Sequence, residues 1–312
     1  MRAVITDPTA ASRLRLSEAP QPEPAPNQAL IRVEAFSLNA GEVRTALEST
    51  DSYVPGWDFA GVVEEAAVDG GTAPKGARVY GFVPQGAWAE YVVAGATMIT
   101  EIPDTVTSVQ AAALPVAAVT ALAALEQAGT LLGRKVLITG AAGGVGRFAC
   151  QLASLAGAEV FAVSRRPSLP GQLRADGIAT PTVFQGIEAA KEAGRYDVIL
   201  DGVGGDSLAT ALTALAPGGV CVTFGNGSRT LTSFHPGDFY HTPGARLQGL
   251  WLGNFMMAGT DCGPMLRRLV ELVRQERLRP PLDAIVPWTS VGEAAELLSQ
   301  QGVDGKIVVT VD

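Results

Sequence analysis

The sequence predicts an α/β protein of two domains, one β-rich and the other built on a doubly wound parallel sheet. The 312 residues are about twice the ~150 residues of a typical domain. Short apolar runs separated by Pro and Gly fill the first hundred residues, whereas apolar strands alternate with helical segments after about residue 105. Such alternation predicts a parallel sheet that is covered on both faces.

The first hundred residues predict a compact, barrel-like β domain. Turn signals such as Pro55-Gly56 and Gly70-Gly71 separate the strand-like runs, and their spacing is typical of such a domain. The predicted strands are Ala29–Ala35, Gly61–Val68, Ala77–Phe82 and Ala89–Val93.

A long helix is predicted over Ser108–Gln127, a region rich in Ala and Leu. Its apolar part, Ala111–Leu125, is too short to span a membrane, so we expect a buried helix and no membrane partner. The alternating strands and helices that follow are predicted at Arg134–Thr139, Gly144–Ala156, Ala158–Val163, Leu169–Asp176, Thr182–Phe184, Ile187–Ala193, Asp197–Asp201, Asp206–Leu215 and Gly219–Phe224.

The C-terminal region returns to the pattern of the first domain. Two helices, Gly263–Arg277 and Val291–Gln300, precede a last strand at Lys306–Val311. We therefore expect the tail to rejoin the first domain.

Composition excludes several classes of protein. Apolar residues make up 47% and charged residues 17%, which excludes an intrinsically disordered chain. The net charge of -8 argues against nucleic acid as a partner. Three widely separated cysteines form no disulfide framework and fit a reducing cytoplasm, and the N-terminal segment lacks the apolar core of a signal peptide. The two histidines have no zinc-ligand spacing.

A glycine-rich loop follows the strand that ends at Thr139. Ala141, Gly143 and Gly146 form an A-x-G-x-x-G pattern between a strand and a helix, which is the context that a dinucleotide-binding loop requires. We expect Gly143 to let the backbone approach a pyrophosphate and Gly146 to let the helix pack on the strand, while the helix N-terminus binds the anion. The alternative is a tight turn whose glycines serve packing alone.

The end of the second strand of this region predicts the type of cofactor. An NAD site usually places an Asp or Glu there, about 20 residues after the loop. This chain has Ser164, Arg165 and Arg166 instead. A guanidinium pairs with a 2′-phosphate, so the sequence favours NADP(H). The alternative is that both arginines are solvated surface residues.

Two later strand ends also predict a ligand-binding crevice. Asp201–Gly205 and Gly225–Ser228 each follow a strand, and ligands of parallel sheets bind beyond the carboxyl ends of strands. Ordinary turn formation explains any one of these glycines equally well.

The sequence resembles the medium-chain dehydrogenase/reductase superfamily, in its zinc-free quinone oxidoreductase and enoyl reductase branch. The resemblance covers nearly the whole chain. Besides the glycine loop, the motifs that carry it are SLNAGEVR, which contains Asn39, PGWDFAGVV at 55–63, GARVYGF at 76–82, GAWAEYVV at 86–93, LPVAAVTALAAL at 114–125, YDVILDGVGG at 196–205, LAPGGVCVTFG at 215–225 and GKIVV at 305–309.

The resemblance implies a GroES-like catalytic domain, residues 1–116 and 257–312, split around a Rossmann cofactor domain, residues 117–256. Zinc-dependent relatives carry Cys where Asn39 stands and a His-Glu pair where Trp57-Asp58 stands, so no metal is expected. The implied activity is hydride transfer from NADPH to a small apolar enone, enal, enoyl ester or quinone. A quinone reductase proper and a non-catalytic NADPH-binding protein remain alternatives.

Two residues are the catalytic candidates. Asn39 aligns with the active-site Asn of the branch, where its amide would donate to a substrate oxygen or hold the nicotinamide ribose, although a turn-capping Asn is an equal alternative. Tyr53 lies where some enoyl reductases carry a tyrosine acid, but packing is an alternative role. Glu42 and Arg44 are expected to form a local structural pair, and Asp58 to order its loop.

The predicted cofactor-binding residues come from the glycine loop, the strand ends and family-aligned positions. They are Thr120, Ala142, Gly143, Gly144, Val145, Gly146, Ser164, Arg165, Arg166, Gly202, Val203, Gly204, Phe224, Gly225, Asn226, Phe255 and Lys306. The segment Arg246–Leu252 resembles the branch's dimer-forming edge strand, so we expect a homodimer. His235 and His241 are expected to be exposed loop residues.

Overall fold

The computed structural model describes residues 1–311, which divide into two compact units. Unit 1 consists of Met1–Val119, Leu252–Glu276 and the chain from Pro280 onward, and unit 2 consists of Thr120–Trp251 and Arg277–Arg279. Unit 2 therefore begins at residue 120 instead of 117 and ends its main segment at residue 251 instead of 256.

The N-terminal part of unit 1 is mostly strands, as its alternating apolar runs predict, but it also contains a helix that the sequence did not suggest. Its elements are β1 (Arg2–Thr6), β2 (Leu14–Glu18), β3 (Gln28–Ser37), α1 (Ala40–Glu48), β4 (Asp58–Glu65), β5 (Arg78–Phe82), β6 (Tyr91–Gly95), β7 (Ile99–Glu101) and α2 (Ser108–Ala112).

The predicted helix Ser108–Gln127 is two helices. After α2 the chain turns at Ala113-Leu114, and α3 runs over Pro115–Gln127. Proline has no backbone N–H and clashes with the preceding turn, so it ends one helix but is well placed to start the next. The division between the two units falls within α3.

The main segment of unit 2 alternates strands and helices as predicted. Its elements are β8 (Lys135–Thr139), α4 (Gly144–Leu155), β9 (Glu159–Val163), α5 (Leu169–Ala175), β10 (Thr182–Phe184), α6 (Ile187–Ala193), β11 (Tyr196–Asp201), α7 (Gly205–Thr213), β12 (Leu215–Thr223), α8 (Pro236–Tyr240) and β13 (Arg246–Gly249).

The strands of unit 2 form a parallel sheet in the order β10-β9-β8-β11-β12-β13. Strands β8 and β11 occupy its centre and are almost fully buried, which explains their uninterrupted apolar sequences. The carboxyl ends of β8, β9, β11 and β12 therefore lie at one edge of the sheet. The predicted fold class, a β-rich domain combined with a doubly wound parallel sheet, is confirmed.

The C-terminal part of the chain returns to unit 1. It contains α9 (Gly253–Met257), α10 (Gly263–Arg274), β14 (Leu282–Pro287), α11 (Val291–Ser299) and β15 (Lys306–Thr310). Strand β15 pairs antiparallel with β3, with Val308 opposite Ser37 and Val309 opposite Phe36. The last strand thus completes the sheet of unit 1, whose order is β14-β15-β3-β4-β5-β7 with β6 on β3.

Three residues of the C-terminal segment, Arg277–Arg279, belong to unit 2. The Gln151 side chain donates from Nε2 to the Arg279 carbonyl at 2.9 Å and accepts from the Arg279 N–H at 2.8 Å. The Arg279 guanidinium also donates to the Ala175 carbonyl. These hydrogen bonds fix Arg277–Arg279 to α4 and α5.

Candidate active site

The glycine loop joins β8 to α4 in unit 2. Gly140 has a φ of +62°, a conformation that favours glycine, and Gly143 is the N-cap of α4. The first N–H groups of a helix have no partner within the helix and carry the positive end of its dipole. The loop therefore presents backbone donors suited to an anion.

Gly143 and Gly146 have different steric roles. A Cβ at Gly146 would lie 2.4 Å from the Gly140 carbonyl oxygen and 2.6 Å from the Ala141 Cα, so this glycine allows α4 to pack against the loop. A Cβ at Gly143 would approach only the Gly140 oxygen, at 3.4 Å. The fold itself does not require glycine at 143, and the empty space there fits the close approach of a pyrophosphate.

The residues after β9 lie next to this loop in the sheet order. Ser164 is buried, and its hydroxyl oxygen accepts the Arg166 N–H at 3.0 Å. Arg165 is exposed and has no hydrogen-bond or ion-pair partner within residues 1–311. A free guanidinium without a neighbouring acid on this strand end is suited to a 2′-phosphate.

The turns after β11 and β12 pack against each other. A Cβ at Gly202 would lie 2.8 Å from the Phe224 ring, and one at Gly225 would lie 2.9 Å from the Gly202 carbonyl oxygen. Val203 is partly exposed and reaches the glycine loop, since a Cβ at Gly140 would lie 3.4 Å from its Cγ2. The structure thus brings these predicted cofactor contacts together with the glycine loop, including the exposed Asn226.

The remaining predicted contacts lie elsewhere or have other roles. Thr120 is buried at the start of unit 2, and the half-buried Phe255 belongs to α9 of unit 1. Lys306 is 3% exposed and lies inside unit 1. Its Nζ donates to three oxygens of that unit, so no ammonium hydrogen remains for a cofactor. The geometry gives the prediction of a cofactor contact at Lys306 no support.

Unit 1 contains a buried charge cluster formed by Asn39, Glu42, Asp58 and Lys306. The Lys306 ammonium donates to the Leu38 carbonyl at 2.9 Å, to Asn39 Oδ1 at 2.6 Å and to Asp58 Oδ2 at 3.4 Å. Glu42 and Asp58 are 2% and 0% exposed. Two carboxyl groups and one ammonium are therefore held away from water, which requires dense hydrogen bonding.

The Asn39 side chain hydrogen-bonds to all three other members of this cluster. Its Nδ2 donates to Glu42 Oε1 at 2.9 Å and to Asp58 Oδ2 at 2.7 Å, while its Oδ1 accepts from Lys306. Both amide hydrogens are used, so the amide of Asn39 has none left to donate to a substrate in this arrangement. Its catalytic role stays a prediction, and the geometry favours a positioning role.

The acidic members of the cluster are anchored to the backbone around them. Asp58 begins β4, and its side chain accepts from the Ser37 hydroxyl at 2.5 Å and from the Val116 N–H at 2.8 Å. Glu42 accepts from the Asn39 N–H at 2.8 Å and from the Trp57 N–H at 2.6 Å. The cluster therefore holds the Trp57 backbone, and so the end of the loop that carries Tyr53.

The electrostatics of the cluster favour a protonated Glu42. Burial, and then the Asp58 carboxylate, raise the pKa of Glu42 from its ordinary value of 4.5 to about 8. Burial also lowers the pKa of Lys306, against the opposing effect of the two carboxylates. One net negative charge is thereby removed from the interior of unit 1 near neutral pH.

The expected Glu42–Arg44 pair is wrong. Glu42 points into the cluster from the first turn of α1, whereas Arg44 is exposed. Residues two apart on a helix do not face each other, and the prediction failed because α1 was not recognised as a helix. The signal that was overlooked is Asn39 followed three residues later by Glu42, a typical helix start.

Tyr53 is the one catalytic candidate whose polar group is uncommitted. Its backbone is fixed to Thr6, whose N–H donates to the Tyr53 carbonyl and whose hydroxyl accepts the Tyr53 N–H, both at 2.9 Å. The half-buried side chain makes no hydrogen bond through its hydroxyl within residues 1–311. Burial and the Glu42 charge raise the pKa of Tyr53, so the phenol keeps its proton at neutral pH.

Across residues 1–311, His, Cys, Asp and Glu side chains form no group suited to a metal ion. No helix in that range has the length and apolar character needed to cross a bilayer. His235 caps α8 and is exposed, as is His241, in agreement with the expected loop positions.

Comparison with known proteins gives matches in both units. A family model described as the alcohol dehydrogenase GroES-like domain matches residues 25–104, and one described as zinc-binding dehydrogenase matches residues 173–309. The mouse mitochondrial NAD(P)H oxidoreductase RTN4IP1 is 32% identical over 328 aligned residues, which cover 92% of this chain and 82% of the relative.

Solved structures are similar over the whole chain. The quinone oxidoreductase from Coxiella burnetii is 30% identical, with a TM-score of 0.85 and coverage of 100% of this chain and 99% of that one. The quinone oxidoreductase from Thermus thermophilus, also solved in complex with NADPH, is 28% identical, with a TM-score of 0.83 and coverage of 99% and 100%. Both share the fold described above.

Proposed function

This chain belongs to the medium-chain dehydrogenase/reductase superfamily and is an oxidoreductase of that family, and from that premise we propose that it is a zinc-independent, NADPH-dependent reductase. The proposed substrate is small and apolar, and carries an activated C=C bond, as in an enone, enal or enoyl ester, or is a quinone. The observation that carries the proposal is the geometry of the cofactor cradle in unit 2.

The cradle fits a dinucleotide phosphate at two points. The empty side-chain position of Gly143 and the N-terminus of α4 suit the pyrophosphate. The exposed Arg165, on a strand end without an acid, suits the 2′-phosphate of NADP(H). When bound, the cofactor supplies the hydride, and the protein supplies binding, orientation and exclusion of water.

On the substrate side, we assign the donor role to Tyr53 and a positioning role to Asn39. Hydride delivery to an enone or a quinone leaves negative charge on an oxygen, which a hydrogen-bond donor stabilises. The Tyr53 hydroxyl is a half-buried donor with no partner of its own in the described chain. Asn39 acts through the buried charge cluster, which holds the loop that carries Tyr53.

Cofactor titration tests the proposal directly. NADPH should bind at least about tenfold more tightly than NADH, because one charge-assisted pairing contributes about 1.4 kcal/mol or more. Arg165→Ala should remove most of that preference, whereas Arg174→Ala, which changes another exposed arginine of unit 2, should leave it unchanged. Equal affinity of the wild-type protein for both cofactors would reject the NADPH assignment.

Substrate assays separate the catalytic proposal from a binding protein. NADPH oxidation should be measured with one simple enone and one simple quinone, in the presence and absence of a chelator. We expect turnover with at least one of them that the chelator does not affect. Tight NADPH binding without turnover of either substrate would favour the non-catalytic alternative.

The free edge of β13 supports a second proposal, that the protein forms a homodimer. Within residues 1–311, strand β13 pairs with β12 on one side only, and Leu247 and Trp251 are 42% and 57% exposed. An unpaired edge with exposed apolar side chains is suited to pairing with a second copy. Light scattering should give twice the mass of one chain, and Leu247→Arg should shift it to monomer; a wild-type monomer would contradict the proposal.

A further inference from the structure

Asp201 is a buried carboxylate that the site described so far does not use. It ends β11, is 0% exposed, and forms no ion pair with any basic side chain of residues 1–311. Burial raises the pKa of this carboxyl, while hydrogen bonds from Thr139, Gly204, Val203 and Thr223 oppose the rise. A buried carboxylate without a cation depends on such donors, because it has lost its hydration.

The donors that reach Asp201 come from three neighbouring strand ends. Thr139, at the end of β8, donates from its hydroxyl to Oδ1 at 2.7 Å, and Gly204 donates its N–H to Oδ2 at 2.9 Å. Thr223, at the end of β12, is a longer contact at 3.5 Å. The Thr139 oxygen in turn accepts the Gly202 N–H at 3.2 Å. Both ends of the turn Gly202–Gly204 are thus fixed to one carboxylate, one directly and one through Thr139.

The turn ends in a backbone conformation that favours glycine. Gly204 and Gly205 have φ values of +70° and +54°, a region that favours glycine. The turn packs on Phe224, and its Val203 side chain reaches the glycine loop. It therefore forms part of the edge of the sheet beyond which ligands of parallel sheets bind.

We propose that Asp201 is a positioning residue for the nicotinamide half of the bound cofactor: it holds the turn Gly202–Gly204 in the shape against which that half lies. The inference rests on the proposed NADPH-dependent function and adds a residue to it. Asp201 itself is fully buried and acts only through the turn.

The test compares NADPH with 2′,5′-ADP, which carries the adenosine and 2′-phosphate but no nicotinamide. In Asp201→Asn the side chain keeps its size but loses its charge and has one accepting oxygen in place of two. One of the two buried donors, the Thr139 hydroxyl hydrogen or the Gly204 N–H, is therefore left without an acceptor. NADPH affinity should fall about tenfold, the scale of one buried donor left unpaired. Affinity for 2′,5′-ADP should stay within about twofold, and the emission of bound NADPH should shift.

Two threonine variants serve as graded tests that keep the Asp201 carboxylate in place. Thr139→Val removes the hydroxyl that links Asp201 to Gly202 and should weaken NADPH binding in the same selective way. Thr223→Val removes the 3.5 Å contact and should have the smallest effect. If Asp201→Asn does not fold, the Thr139→Val result decides.

Each other outcome has a definite meaning. Equal losses for NADPH and 2′,5′-ADP would show that Asp201 supports the whole cradle and would overturn the proposal, as would unchanged binding of both ligands. A wild-type protein that binds neither ligand would instead reject the proposed function itself.

Discussion

The glycine loop of unit 2 and the buried charge cluster of unit 1 are built in opposite ways. The loop occupies one short stretch, residues 140–146, and works through backbone N–H groups and missing side chains. The cluster brings together side chains from residue 39 to residue 306, and its donors and acceptors bind each other. The loop can therefore receive a ligand directly, whereas the cluster acts only through the chain that it holds in place.

Among the variants that distinguish the two regions, Lys306→Met is expected to have the largest effect, a loss of stability. Without the ammonium, the Asp58 carboxylate stays buried with no cation, and breaking a buried pair in this way costs about 3–5 kcal/mol. Urea unfolding should show this loss. Lys75→Met, which breaks an exposed and solvent-screened pair with Glu64, should leave the stability nearly unchanged. Similar losses in both variants would show that the cluster is not a structural centre of unit 1.

The next largest effect is expected at Tyr53. Tyr53→Phe should lower turnover by about 10²-fold, the scale of one lost donor to a developing oxyanion, and should leave NADPH affinity unchanged. Tyr91→Phe, at another half-buried tyrosine of unit 1, should keep wild-type turnover. Steady-state rates and a cofactor titration check both statements. Wild-type turnover in Tyr53→Phe would assign protonation to solvent.

Two glycine variants sharpen the contrast within the loop itself. Gly143→Ala should leave the stability of unit 2 unchanged, because φ is -79° and the new Cβ meets little, but it should weaken NADPH binding about tenfold by filling the space for the pyrophosphate. Gly146→Ala should instead destabilise unit 2 by about 1–3 kcal/mol through its close contacts with Gly140 and Ala141.

Thermal unfolding and NADPH titration of both variants, with the exposed Gly171→Ala as control, distinguish these roles. A Gly143→Ala protein with normal NADPH affinity would leave packing as the only reason for the glycines.

The most gradual expected effect is a pH dependence of stability that comes from the cluster. The folded pKa of Glu42, about 8, lies above its ordinary value of 4.5, so its stabilising contribution is complete below 4.5 and is lost as the pH rises to about 8. Wild-type stability should fall relative to Glu42→Gln over that range, by at most about 1.4 kcal/mol per pH unit. Parallel stability curves for the two proteins in urea would contradict the raised pKa.

The same comparison explains what could be predicted from the sequence. The glycine loop and the alternating strands of unit 2 are local patterns, so their positions followed from spacing alone. Lys306 contacts Asn39 and Asp58, which lie more than 200 positions away in the sequence. A local sequence pattern cannot predict a contact between residues so far apart. Lys306 was therefore predicted as a cofactor contact, and the structure places it in an ion pair.

Errors of local assignment had simpler causes. Helix α1 was missed because the surrounding strands set the expectation for the whole segment, although Asn39 and Glu42 mark a helix start. The prediction of a single helix over Ser108–Gln127 did not take into account that Pro115 ends one helix and starts the next. The role of Asp201 was visible only as a strand end, because its partners Thr139 and Thr223 lie on other strands.

The pairing of β15 with β3 has a consequence for folding during synthesis. The whole of β3 is synthesised long before Lys306–Thr310. The edge of β3 that pairs with β15 therefore stays unpaired while unit 2 is synthesised and can fold. The Asp58 carboxylate is without its Lys306 partner for the same period. A nascent chain that reaches Arg279 but stops short of β15 therefore contains all of unit 2, while one edge of β3 in unit 1 stays open to pairing with another chain.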